Sequence, residues 1–229
     1  MLDLVSSANI ACGFHAGDAT TMRDTVRAAA SRGVAIGAHP SYPDILGFGR
    51  TELGLSPKQI RFHVSYQLRA LRNICGAENA NLAYVKAHGA LYNRAANDPS
   101  AANAVAQAIC DVDRSLVWLG LAGSEMARAA SRNSLGFASE AFADRAYMPN
   151  GSLVPRNEPG AVIHDVQTAV QRAITLVKSN TVSADDGTTL GVAAQSLCVH
   201  GDNPDALPML RELRVQLTSS GVRIAPFVA

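Results

Sequence analysis

Asn9-Ile10-Ala11-Cys12-Gly13-Phe14-His15 is a short apolar run that stops at a glycine and then presents a histidine. The same grammar returns at Ala35-Ile36-Gly37-Ala38-His39, Tyr84-Val85-Lys86-Ala87-His88 and Leu197-Cys198-Val199-His200. Apolar runs this short, bounded by glycine and polar residues, read as buried strands rather than helices. Longer stretches with helical periodicity separate them, which is the alternation of an α/β fold with a parallel sheet.

Working outward, the first strand is expected at Ala8–Cys12. A helix opens at Thr20 or Thr21 and runs to Arg32, with Gly33 as its C-cap. Further strands are expected at Val34–Ala38, Leu82–Lys86, Leu116–Leu121, Gly136–Glu140 and Gln195–Val199, with a last one at Val222–Ala225. Ser56-Pro57 starts a helix by the cap-then-proline rule and Gly76 ends it. Other helices are expected at Ser100–Cys110, Ser124–Arg132, Asp165–Lys178 and Asp205–Ser219. Tyr147–Gly160 reads as a long functional loop, and Asp185-Asp186-Gly187 as the turn of a small hairpin.

Composition narrows the classes. The chain has 229 residues, 48% hydrophobic and 17% charged, with a formal charge of +1, so it can bury a full core. Lys and Arg are scattered, which argues against a nucleic-acid footprint or a membrane-binding face. No apolar run approaches the roughly 18 residues of a membrane span, and no signal peptide is recognised. Cys12, Cys75, Cys110 and Cys198 form no C-x-x-C pair and read as free thiols, so the cytoplasm is the expected compartment.

Four of the six histidines thus sit where apolar runs end. In parallel α/β folds the carboxyl ends of strands converge on one face, where sites form. His15, His39, His88 and His200 are therefore candidate site residues, while His63 and His164 fall on or beside helices and carry no assigned role. Asp18 and Asp202 follow a histidine closely and could orient an imidazole, act as acid or base, or cap a turn. Glu140, Asp144 and Arg145 cluster behind another strand. Lys86 shares the strand face of His88, where it lines the site and stabilises an oxyanion or phosphate, or else pairs with a core carboxylate. No Walker A loop, complete G-x-G-x-x-G, H-E-x-x-H or G-x-S-x-G motif is present.

Ser7–Asp18, Gly37–Asp44, Val85–Asn93 and Cys198–Pro204, with Glu140–Tyr147 followed by Gly151, Leu153 and Arg156, resemble the LamB/YcsF family from about Ser6 to the C-terminus. The resemblance implies a single β/α barrel domain over residues 1–229, of the glycoside hydrolase and deacetylase type. It implies the role of an A subunit in bacterial 5-oxoprolinase, working with subunits B and C to open 5-oxoproline to L-glutamate with hydrolysis of ATP. ATP is the implied cofactor, with room for a divalent metal held by His15, His88 or His200, and for a homo-oligomer. On this reading His15, His39, His88 and His200 transfer protons or bind metal, and Asp18, Asp144 and Asp202 act as bases or orienting groups. Lys86 serves with them. Asn9, Tyr92, Arg145 and Arg156 contact substrate.

Family members normally begin with a strand carrying an Asp-Leu-Asn-x-Asp-x-Gly-Glu segment. Here Met1-Leu2-Asp3-Leu4-Val5-Ser6-Ser7 stands in that place. The expectation is a barrel without its first strand and acids, leaving unpaired edges on the neighbouring strands. Two rival readings are a metal-dependent deacetylase-type hydrolase on the same barrel and a catalytically inactive scaffold subunit. The deacetylase's H-x-x-x-H pair is absent, since Ala19, Pro43, Tyr92 and Pro204 lie four residues beyond the four histidines.

Overall fold

A computed structural model describes residues 1–228, which fall into two compact units. The larger unit spans Ser6–Ala138. Its elements are β1 (Ser7–Ala11), α1 (Ala19–Ala30), β2 (Ala35–His39), α2 (Pro57–Ala77), β3 (Leu82–Val85), α3 (Gly89–Asn97), α4 (Pro99–Val112), β4 (Val117–Leu121) and α5 (Glu125–Arg132). The strands pair in the order β1-β2-β3-β4, and the pairs β1–β2, β2–β3 and β3–β4 are parallel. Parallel neighbours need a crossover, and the helices between the strands supply it. The mixed α/β class with parallel strands and covering helices is therefore observed, in the repeat of a partial β/α barrel.

Local chemistry starts these helices. The Asp18 carboxylate accepts the Thr21 N–H at 2.7 Å and caps α1. Ser56 and Gln59 form a capping box ahead of Pro57 in α2. Asp98 accepts the Ser100 N–H at 2.8 Å and Pro99 opens α4. Each such cap contributes about 1 kcal/mol. Helix α4 is rich in alanine, and Ala101, Ala102, Ala104, Ala106 and Ala108 are all buried. Small side chains let α2, α3 and α5 approach it closely.

One glycine is fixed by its neighbour. A Cβ on Gly37 would lie 2.2 Å from the Tyr84 ring, which fills that space and donates its hydroxyl to Asn9 Oδ1 at 2.9 Å. Asn9, expected to contact substrate, is thus tied to the β3 tyrosine across β2.

The smaller unit comprises Ser139–Phe227 with Asp3–Val5. It holds most of β5 (Phe137–Phe142), then α6 (Val166–Ser179), β6 (Thr181–Ser183), β7 (Thr189–Gly191), β8 (Ser196–Cys198) and α7 (Ala206–Ser219). Strand β8 pairs in parallel with β5. Ala143, Ala169, Val170, Ala173, Met209 and Leu213 form its core, so α6 and α7 bury their apolar stripes together. The hairpin of β6 and β7 turns at Ala184–Gly187, as expected.

Three expectations are corrected. Helix α3 begins directly after His88, in a stretch to which no helix was assigned, because Gly89 takes a left-handed φ of +59° and swings the chain into a helix. Gly76 lies inside α2, and α2 ends at Ala77. Val222–Ala225 forms no strand. Among the described residues, no helix is long and apolar enough to cross a membrane.

Candidate functional site

Within the larger unit, three parallel strands deliver three histidines to one cluster. The His15 and His88 rings stack with centroids 4.0 Å apart, and His39 meets both edge-on. Beyond β3 the chain stays extended beside β2, since the Lys86 and His88 N–H groups donate to the Ala38 and Pro40 carbonyls. That extension carries His88 back onto His39.

The hydrogen bonds dictate where protons sit. A carbonyl only accepts, so His39 Nδ1–H donates to Lys86 O (2.6 Å) and His88 Nε2–H donates to Phe48 O (2.8 Å). The remaining nitrogens, His39 Nε2 and His88 Nδ1, face each other at 3.1 Å. A neutral pair would set lone pair against lone pair there. One further proton turns the contact into a hydrogen bond, so the pair is built to share a single proton. Burial, then the charges of His88 and Lys86, hold His39 well below the ordinary imidazole range, so that proton is readily given up.

His15 is arranged differently. Ser41 donates its hydroxyl to the Tyr42 carbonyl, so its oxygen accepts His15 Nδ1–H at 2.8 Å. Burial, and secondarily the charge of Arg50, lowers His15 to about 4. At neutral pH it is an uncharged imidazole whose Nε2 carries a lone pair. Ser41 is itself held by Gln67 of α2, which accepts the Ser41 N–H and donates to the Ser41 carbonyl. Ser41, Gln67 and Phe48 were not anticipated as functional residues. Ser41 lies in a stretch that was singled out, but nothing local marks Gln67, which is buried only because α2 packs there.

The low value for His15 has a stability consequence. Between an unfolded pKa of about 6.5 and a folded value near 4, the unfolded chain binds the proton and the native chain does not. Acid therefore favours unfolding across that window. From pH 7 to pH 5 the His15 contribution should fall by about 2 kcal/mol. Urea midpoints at the two pH values measure the loss, and His15→Gln should reduce the slope by that amount, leaving the part contributed by the depressed His39. An unchanged slope in His15→Gln would show that the proton uptake lies elsewhere.

Lys86 is buried, with Nζ 5.7 Å from the centre of the Tyr92 ring, so these two candidates share one wall of the cluster. Asp18 stands apart as an exposed helix cap, its carboxyl lowered by the Thr21 N–H and hydroxyl.

The smaller unit contains a second constellation. Asp144 is fully buried and accepts His200 Nδ1–H at 2.9 Å and the His200 N–H at 3.3 Å. Phe142 stacks on the His200 ring. Burial works to raise the Asp144 carboxyl, but the His200 hydrogen bond and charge hold it below the ordinary carboxylate value. An ionised carboxylate on Nδ1 leaves Nε2 of the neutral ring as a proton acceptor. Arg145, expected to meet substrate, donates to the Ala161 and Val154 carbonyls at 3.1 and 2.6 Å and fastens the loop that follows. Arg156 lies 3.5 Å from Asp202, giving these two candidates a common ion pair. His63 packs edge-on against Phe14, and the exposed His164 lies 3.9 Å from Asp205.

The three candidate metal ligands are placed unequally: Nδ1 of His15 and of His200 is engaged by Ser41 and Asp144, which leaves Nε2 of each ring with its lone pair, whereas His88 uses one nitrogen on a carbonyl and faces His39 with the other. Among the described residues no three His, Cys, Asp or Glu side chains are grouped to hold a metal ion.

Comparison with known proteins agrees with these motifs. The LamB/YcsF family model matches residues 1–229. The chain belongs to the LamB/YcsF family. This LamB/YcsF chain is 48% identical over 224 residues to the A subunit of 5-oxoprolinase from Bordetella parapertussis, covering 98% of itself and 89% of that protein. It is 48% identical over 225 residues to the corresponding A subunit from Methylococcus capsulatus, covering 98% and 86%. The crystal structure of a lactam utilization protein from Thermus thermophilus superimposes with a TM-score of 0.92 at 42% identity, covering 99% of this chain and 90% of that one.

Proposed function

We propose that this LamB/YcsF chain is the A subunit of an ATP-dependent 5-oxoprolinase, and that its own part in opening 5-oxo-L-proline to L-glutamate is proton transfer. The observation that carries the reading is the histidine cluster of a chain whose relatives are named as the A subunit of 5-oxoprolinase. Lactam opening consumes one water. Its oxygen bonds to the carbonyl carbon, the ring C–N bond breaks, and the nitrogen takes a proton.

Such a reaction needs a neutral base for the water and an acid for the leaving nitrogen. The larger unit supplies the base in neutral His15, and beside it the His39–His88 pair, unprotonated at neutral pH, becomes the acid once it receives the proton taken from the water. In the smaller unit, Asp144 prepares His200 as a further base. ATP supplies activation of a stable amide. On this chain Arg145 holds the Ala161 and Val154 carbonyls and Arg156 pairs with Asp202.

The test mixes the chain with purified B and C subunits, 5-oxo-L-proline and ATP, and measures glutamate and phosphate. Glutamate should appear only when all three chains are present. A stable three-part complex that releases none would overturn the proposal.

A further inference from the structure

Helix α2 turns a row of large side chains outward. Phe62, Tyr66, Arg69 and Asn73 recur at helical spacing along it, and with Ala70 they line a groove of ≈ 360 Å³. Phe62 is 71% exposed and Tyr66 56%, although both are large and aromatic. Scattered apolar residues on a surface are ordinary, but a contiguous aromatic row beside a groove is the usual composition of an interface core.

Charge chooses the occupant. Between Pro57 and Ala77 the helix carries Lys58, Arg61, Arg69 and Arg72 and no Asp or Glu. Two of these cations are engaged inside the chain, Arg61 on both Asp111 oxygens at 2.6 and 2.7 Å, and Arg72 on Asp113 at 3.3 Å. Arg69 gives one nitrogen to the Asp111 carbonyl at 3.3 Å and otherwise lines the groove. Its planar fork is suited to a carboxylate brought from outside.

The face also adjoins the histidine cluster. Tyr66 stacks on Phe14 with centroids 5.5 Å apart, and Phe14 precedes His15. One residue along the helix from Tyr66, Gln67 holds Ser41, the partner of His15. A chain seated on α2 therefore packs on Tyr66, which touches Phe14 next to His15, while Gln67 on the buried side of the same helix holds Ser41.

We infer that the outer face of α2 is the docking surface for a partner subunit, which presents an apolar segment flanked by a carboxylate that pairs with Arg69. This rests on the reading of the chain as one part of a multi-subunit enzyme. The aromatic row supplies buried area, and Arg69 sets register and orientation.

The test titrates the immobilised chain with the purified B and C subunits, using Phe62→Ser, Arg69→Glu and the milder Arg69→Gln. Lys178→Glu, on α6, controls for net charge, and thermal melts confirm that every variant is folded. The expected result is binding weakened at least about tenfold by Phe62→Ser and Arg69→Glu, less by Arg69→Gln, and within about twofold of wild type for Lys178→Glu. Unimpaired binding by the α2 variants would overturn the docking surface while leaving the 5-oxoprolinase reading intact. Wild-type chain that binds neither of the two would overturn both. A wild-type dimer in sedimentation that Phe62→Ser dissociates, with B and C binding unaffected, would assign the face to a second copy and overturn the inference.

Discussion

Asp144→Asn is expected to lower turnover of the reconstituted enzyme by about 10³-fold while leaving a folded chain. The carboxylate now accepts both Nδ1–H and the backbone N–H of His200, which fixes the ring orientation and the tautomer that carries its lone pair on Nε2. An amide has one oxygen for these two donors. Its NH₂ group must face one of them, which either turns the ring or moves the ring proton to Nε2. In either case the base is lost. The measurement is kcat for glutamate release, alongside a thermal melt. The pH dependence of folding gives a second readout. The depressed Asp144 carboxyl contributes stability above its unfolded value of about 3.9, and that contribution disappears as pH falls through the lower folded value. Asp144→Asn should flatten the curve in that acid range. Full turnover with a normal melt would exclude His200 from proton transfer.

Gly89→Ala is expected to cost about 3 kcal/mol and to reduce turnover as well. Gly89 sits at φ +59°, where an L side chain is strained by about 1–2 kcal/mol. A Cβ there would also lie 2.2 Å from the Gly49 carbonyl oxygen, which is backbone and cannot rotate aside. That same oxygen accepts the Ala90 N–H at 2.9 Å, at the start of α3. Pushing it away displaces the neighbouring Phe48 carbonyl, which fixes the His88 proton. Urea unfolding measures the first effect and kcat the second. A variant of wild-type stability would show that the turn relaxes without disturbing the histidines.

These two sites differ in how far the sequence announced them. The repeated run of apolar residues ending in histidine was legible because strand length, apolar character and glycine punctuation are local properties. The helix starts were equally plain, since Ser56-Pro57 and Asp98-Pro99 are covalent neighbours of the helices they open. Helix α3 escaped notice because its start depends on one glycine's backbone angle, which hydrophobic periodicity does not encode.

The roles of charged residues were less legible. Asp18, Asp144 and Asp202 look alike in sequence, each close to a strand end. Asp18 caps a helix at the surface, Asp144 is buried against His200, and Asp202 faces Arg156. Arg145 was expected to contact substrate, and its side chain also clamps two backbone carbonyls. Burial and hydrogen-bond partners separate these cases, and both are set by residues far away in the chain.

By itself the sequence determined the α/β alternation, the helix caps, the family and the set of histidines at strand ends, because each is written in contiguous residues. Only the tertiary structure decided what those histidines are. Lys86 and Phe48 carbonyls fix two outer protons, Ser41 fixes a third, and Asp144 fixes a fourth. The reason is physical. An imidazole's protonation depends on which donors and acceptors surround it and on how little water remains, and packing brings those neighbours together from distant parts of the chain.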